Sequence, residues 1–181
     1  MRNFILGLLL LRPMSLYEVH AQFAAGLSHI YAASYGSIHR SLKQLLSQGD
    51  LACADEPASA RNRRRYVVTD QGRRTWLAWM KEPASTENAE VAALARVFLL
   101  GLVDDRPTRL SVLASLRARA LAEHEALLGI DNDSGDREND ATGARYRAAT
   151  VHYGVAASGN LVDWLDELAT TENPVPAGEK R

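Results

Sequence analysis

The stretch Ser34 to Asp50, SYGSIHRSLKQLLSQGD, decides how this chain is read. Ile38, Leu42, Leu45 and Leu46 fall at the i, i+4, i+7, i+8 spacing of an apolar helical stripe. At 3.6 residues per turn the opposite face carries Gly36, Ser37, Arg40, Lys43, Gln44 and Ser47. Those residues are small or donate hydrogen bonds, and none is acidic. A helix that enters the major groove of a duplex needs small residues where backbones approach, and donors that reach phosphates or base edges. Ser34 is placed as its N-cap. A plain solvated helix face has a similar composition, so the flanking segments must separate the two readings.

Upstream, Asn3 to Leu11 is apolar on almost every side and predicts an enclosed helix that Pro13 ends. Ser15 and Glu18 have the spacing of a capping box, a hydroxyl and a carboxylate serving the free N–H groups of a new helix. That helix runs to about Ala25 with Leu16, Val19 and Phe23 inward, and Gly26 is placed to stop it. A short link, Leu27 to Ala33, then completes a helix-turn-helix pattern in which the second helix docks in the groove. Downstream the period changes. Leu51 to Ala54 and Arg65 to Val68 predict two strands, joined by a long tip that contains Arg61, Arg63 and Arg64. Thr69-Asp70 caps a further helix reaching about Met80, with Trp76, Leu77 and Met80 inward. Three helices, a hairpin and a closing helix make a winged helix-turn-helix, with Arg61, Arg63, Arg64 and Arg65 on the wing beside the phosphates that flank the groove.

Composition supports a two-part chain. It has 181 residues, 46% of them hydrophobic, and a net charge of only −1. Met1 to Glu82 holds eleven Lys/Arg against six Asp/Glu, a net of +5, and Pro83 to Arg181 holds ten against sixteen, a net of −6. A basic front half and an acidic back half fit a DNA-binding domain joined to a domain with another task. The expected layout is a winged helix-turn-helix over 1–82, a polar linker over 83–88, a helical dimerisation and effector domain over 89–169, and a disordered tail over 170–181. Three helices are predicted in the second domain, Ala89 to Val103, Thr108 to about Leu128, and Thr142 to Ala169. Their apolar stripes are too wide for one protomer of this size to cover, so they are expected to pack against a second copy. The fold class is mainly α: an N-terminal winged helix-turn-helix plus a C-terminal helical dimerisation domain. The apolar run Phe4 to Leu11 falls far short of the roughly 20 residues that cross a bilayer, and it lacks a cleavage site. The single Cys53 has no disulfide partner, which fits a reducing, cytoplasmic setting.

In order along the chain, ILGLLLLRPMSLYEV, SYGSIHRSLKQLLSQGDL, RRRYVVTDQG and WLAWMKEP resemble the PadR family of bacterial transcriptional regulators. The Leu/Phe-rich helix after the linker, the long central helix and HYGVAASGNLVDWLDEL look like the longer C-terminal dimerisation domain of one branch of that family. The resemblance implies a homodimeric winged-helix protein that binds a double-stranded DNA operator, in a family made mostly of repressors, many of them released from their operators by a small-molecule effector. Carried over by position, it implies DNA contacts from Ser37, His39, Arg40 and Lys43 and from the wing arginines with Tyr66. With the groove-facing pattern, the candidate DNA-binding set is Ser34, Tyr35, Gly36, Ser37, His39, Arg40, Lys43, Gln44, Arg61, Arg63, Arg64, Arg65 and Tyr66. Two positions depart from the family pattern. Leu16 stands before Tyr17 where Gly is usual, and His39-Arg40 follows Ile38 where Tyr-Pro is common, so the operator sequence does not transfer from relatives.

Other chemistries have weaker anchors. His20, His29, His39, His124 and His152 are scattered without metal-ligand spacing, so no metal and no cofactor is expected. The acidic segment 131–140 fails as a calcium loop, having Asp136 where Gly is needed and Thr142 where Glu is needed. No nucleophile elbow, P-loop or dinucleotide fingerprint is present, and catalysis has no anchor. Cys53 reads as a small core residue of its strand more readily than as a redox sensor. Trp76, Tyr146, Tyr153 and Trp164 are the candidate effector-binding aromatics, although aromatics at helical spacing are more often core. The competing readings are a winged-helix protein-interaction module and a ligand sensor without sequence-specific DNA binding.

Overall fold

A computed structural model describes residues 1–54, 64–83, 88–133 and 141–172. The chain divides into two compact units, Met1–Glu82 with Leu94–Asp104, and Pro83–Ala93 with Asp105–Arg181.

The first unit opens with α1, Arg2–Leu11, whose Phe4, Ile5 and Leu6 are wholly buried. Enclosure on every side is what its unbroken apolar sequence demands. The Phe4 ring meets those of Phe23, Tyr31 and Phe98 at centroid distances of 6.0, 5.4 and 5.7 Å. Gly7 lies where side chains press on α1: a Cβ there would overlap the Leu99 side chain and come within 2.6 Å of Trp76 Nε1. After Pro13 the chain forms a two-residue strand, β1, Met14–Ser15, and then α2, Leu16–Ala25. The capping box is complete, with Glu18 N–H donating to Ser15 Oγ at 3.3 Å and Ser15 N–H donating to Glu18 Oε2 at 2.8 Å. A single 3₁₀ turn, Leu27–His29, leads toward α3, Tyr35–Ser47.

Helix α3 stops at Gly49, whose φ of 76° lies in the left-handed region that glycine enters without a Cβ clash. Strands β2, Leu51–Cys53, and β3, Arg65–Val68, then precede α4, Asp70–Lys81. The sheet order is β1-β3-β2, all antiparallel, with Ser15 opposite Arg65 and Cys53 opposite Tyr66. Sequence reading found the hairpin and missed β1, because two residues between a proline and an N-cap carry no alternation to detect. Asp50, 3% exposed, anchors the hairpin to α4 by accepting from Thr75 Oγ1 at 2.9 Å. Trp76 and Met80 are buried as expected, and Trp79 is buried where Leu77 is only half-buried.

Helix α5, Ala89–Leu99, contributes to both units, and a 3₁₀ turn, Leu100–Leu102, follows it. The expected helix 89–103 therefore ends four residues early, and its second half belongs with the winged helix rather than with the C-terminal domain. Arg96 accounts for part of this. Only 3% exposed, it donates from Nε to the Trp79 carbonyl at 3.3 Å, and its guanidinium lies 4.8 Å from the Trp79 ring centroid. A cation is well placed at the carbonyl-rich end of α4 and over an indole face.

In the second unit α6, Arg106–Asp133, and α7, Ala141–Glu172, pair along their lengths. Arg109 bonds Glu172, Arg117 bonds Asp166 and His124 meets Ser158, a descending series that makes the pair antiparallel. Val112, Leu113, Leu116, Ala120, Val162 and Leu165 form its buried seam. Both helices extend beyond the ends read from sequence. The tail from 173 onward and the acidic segment 134–140 lie outside the described residues.

Candidate nucleic-acid interface

The apolar stripe of α3 sits where its period puts it. Ile38, Leu42 and Leu45 are wholly buried, and Ser41 is 8% exposed with its hydroxyl donating to the Ser37 carbonyl at 3.0 Å. The other face is open: Tyr35, Gly36, His39, Arg40, Lys43 and Gln44 are exposed, as is Ser34 at the cap, and Ser37 is half-buried. Ser34 Oγ accepts from Ser37 N–H at 3.2 Å, and Ser37 Oγ donates back to the Ser34 carbonyl at 2.8 Å, which closes the first turn. Tyr35 is 52% exposed, and its ring is steadied edge-on by His20 of α2 at 5.6 Å.

The wing is reached from β3. Arg61 and Arg63 lie outside the described residues, while Arg64 is exposed and Arg65 half-buried at the start of the strand. Tyr66 is 7% exposed, since alternation along β3 turns its ring inward. Burial pushes its hydroxyl pKa up, and little of its surface remains for a contact outside the fold. Its inclusion among the groove-facing residues therefore has no support from its placement.

Glu18 has a part that sequence reading did not give it. Beyond its capping role, Oε1 accepts from Arg65 Nη2 at 2.9 Å and from Arg12 Nη1 at 3.4 Å. Its pKa is held down to about 2, chiefly by the hydrogen bond from the Ser15 backbone N–H, with burial opposing and Arg65 adding to the depression. The capping spacing was visible in the sequence. The pairing with Arg65 was not, because it depends on β1 and β3 being neighbours.

The four effector candidates are not gathered in one place. Trp76 is 2% exposed in the core of the first unit, Tyr146 and Tyr153 are 65% and 76% exposed on α7, and Trp164 is half-buried. The second unit holds a cavity of about 140 Å³ whose lining includes Glu90, Ala120, Glu123, Leu127, Ala157 and Leu161, and none of the four aromatics is part of it. Among the described residues no group of three or more His, Cys, Asp or Glu is arranged to hold a metal ion. Among the same residues no helix is long and apolar enough to cross a membrane.

A winged helix whose α3 offers a basic, acid-free face, with Arg64 and Arg65 at the start of β3, belongs to the class of DNA-binding regulators. Residues 5–77, within the first unit, match the model of the "Transcriptional regulator PadR-like family". The chain is accordingly a transcriptional regulator and not an enzyme. No curated protein matches the chain. Distant likenesses occur among solved structures. Bacillus subtilis PadR in complex with operator DNA is 17% identical, over 94% of this chain and 98% of that one, with a TM-score of 0.42. The PadR-like transcriptional regulator BC1756 from Bacillus cereus is 21% identical over 95% and 97%, with a TM-score of 0.41. The Vibrio cholerae virulence activator AphA is 20% identical over 95% and 97%, also at 0.41. At such scores the likeness does not extend to what any of the three binds.

Proposed function

We propose that this chain acts in the cytoplasm as a homodimeric repressor that places one α3 helix per protomer in successive major grooves of an operator. The observation that carries the reading is the two-sidedness of α3: three wholly buried apolar residues on one side, and Arg40, Lys43, Gln44 and His39 exposed on the other. Arg40 and Gln44 are long enough to reach base edges, while Lys43, Arg64 and Arg65 neutralise phosphates. The −6 charge of residues 83–181 keeps the back half off the duplex.

Dimerisation through α6 and α7 is supported by the apolar surface a single protomer leaves open. Leu128 and Ile130 on α6 and Tyr146 and Tyr153 on α7 are all at least 39% exposed. Pairing would set the half-sites about one helical turn, or a multiple of it, apart. A small-molecule effector held in the second unit would release the operator by favouring a dimer whose two α3 helices no longer match that spacing. A differential affinity of a few kcal/mol suffices.

The test is binding of the purified protein to DNA from upstream of its own and neighbouring genes, with unrelated DNA alongside and a salt series, together with its mass in solution. Tight binding to one fragment by a dimer is the expected result. Equal, weak binding to every fragment, or a monomer at working concentration, would count against the reading.

A further inference from the structure

The neighbourhood of Glu18 joins three segments that would each approach a duplex. Arg12 follows α1, Glu18 lies in the first turn of α2, and Arg65 opens β3 at the root of the wing. The first turn of α3 meets α2 as well: the His20 and Tyr35 rings lie 5.6 Å apart. On the proposed reading, which puts the root of the wing beside phosphate, the carboxylate that bridges Arg12 and Arg65 lies at that root. Its place is fixed, because the Ser15 N–H holds Oε2 at 2.8 Å and leaves Oε1 for the two guanidinium groups.

A carboxylate beside two cations on a DNA-facing edge has an energetic consequence. Phosphates bind arginine by releasing condensed counterions, and a cation already paired with a fixed carboxylate contributes less to that release. The side chains of Arg12 and Arg65 are 51% and 41% exposed, so phosphate can reach them, whereas Glu18 is 28% exposed and tied to the backbone.

We infer that Glu18 is a positioning residue that sets the level of sequence-independent DNA binding, by holding Arg65 and Arg12 in a partly neutralised state at the root of the wing. This rests on the DNA-binding reading above. It assigns Glu18 a role in discrimination: trimming the phosphate contribution leaves a larger share of the affinity to the α3 side chains, which meet base edges.

The experiment measures affinity for a duplex of unrelated sequence and fixed length as a function of salt. It compares wild-type, Glu18→Gln, Ser15→Ala and the double variant Glu18→Gln with Arg65→Gln. Glu18→Gln keeps a side-chain oxygen for the cap and removes the charge. Its log–log salt slope should steepen by about 0.9, so its advantage over wild-type grows about three- to fourfold between about 200 and about 50 mM salt. Ser15→Ala weakens the same cap without touching the charge, so it should lower the thermal midpoint and leave the slope alone. The double variant should return to the wild-type slope. A Glu18→Gln slope equal to wild-type, or a Ser15→Ala slope that steepens as well, overturns the inference while the DNA-binding reading stands. A wild-type protein without salt-dependent affinity for DNA overturns both.

Discussion

Acid should selectively unfasten the start of α2. Glu18 has a pKa of about 2 in the folded protein against an ordinary value of 4.5. A carboxyl whose pKa is lowered by folding contributes stability that is complete above its unfolded value and is lost as the pH falls toward the folded one. The contribution of Glu18 is thus whole at neutral pH and fades between about pH 5.5 and pH 2. Linkage sets its ceiling at about 3 kcal/mol. The side chain is 28% exposed and its partners Arg12 and Arg65 are more so, and solvent screening brings the expected figure to about 1–2 kcal/mol. That corresponds to roughly 4–16 °C in the unfolding midpoint of a unit of this size. Trp76 and Trp79 are buried in the first unit and report on it. Their fluorescence should be followed through thermal unfolding of wild-type and Glu18→Gln at steps from neutral pH downward. The gap between the two proteins should be widest at neutral pH and should close near pH 2. A gap that stays constant down to the lowest pH, or no gap at neutral pH, would refute the assignment of the lowered pKa to a stabilising charge.

The other predictions concern the groove face and the core. Arg40→Ala should weaken operator binding by about 1–3 kcal/mol if it reads a base edge, and a competition titration giving unchanged affinity would remove it from the readout. Lys43→Ala, if its target is a phosphate, should instead weaken operator and unrelated DNA alike and flatten the salt slope by about one; an unchanged slope would place Lys43 away from phosphate. Leu42→Ala, at a wholly buried position, should cost about 2–5 kcal/mol in urea unfolding, and a loss under 1 kcal/mol by the same measurement would mean α3 is not seated on a packed core. Gly7→Ala forces a methyl onto Leu99 and Trp76 and should destabilise by about 1–3 kcal/mol in the same assay; a neutral result would show that α1 can shift away.

Much of the winged helix was legible because local chemistry repeats there with a period. The stripe of α3, the caps at Ser15, Ser34 and Thr69, and the switch to alternation at Leu51 and Arg65 each predict an element without knowledge of any other. The resemblance to PadR regulators rested on the order of those same segments. Other features depend on which elements become neighbours. Strand β1 exists because β3 offers it an edge, and the pairing of Ser15 with Arg65 is what carries Glu18 to a cation 47 residues away. The second half of α5 joins the first unit because Arg96 finds the carbonyl end of α4 and the face of Trp79, partners that no spacing within residues 89–103 encodes. Aromatic residues were the least readable. Trp76, Tyr146 and Tyr153 have comparable hydrophobicity, yet packing puts the first in a core and the other two in solvent. A sequence determines what each segment prefers and which side of it is apolar. The tertiary structure decides which segment covers that side, because burial, ion pairing and helix-end capping are satisfied by contacts between residues far apart in the chain.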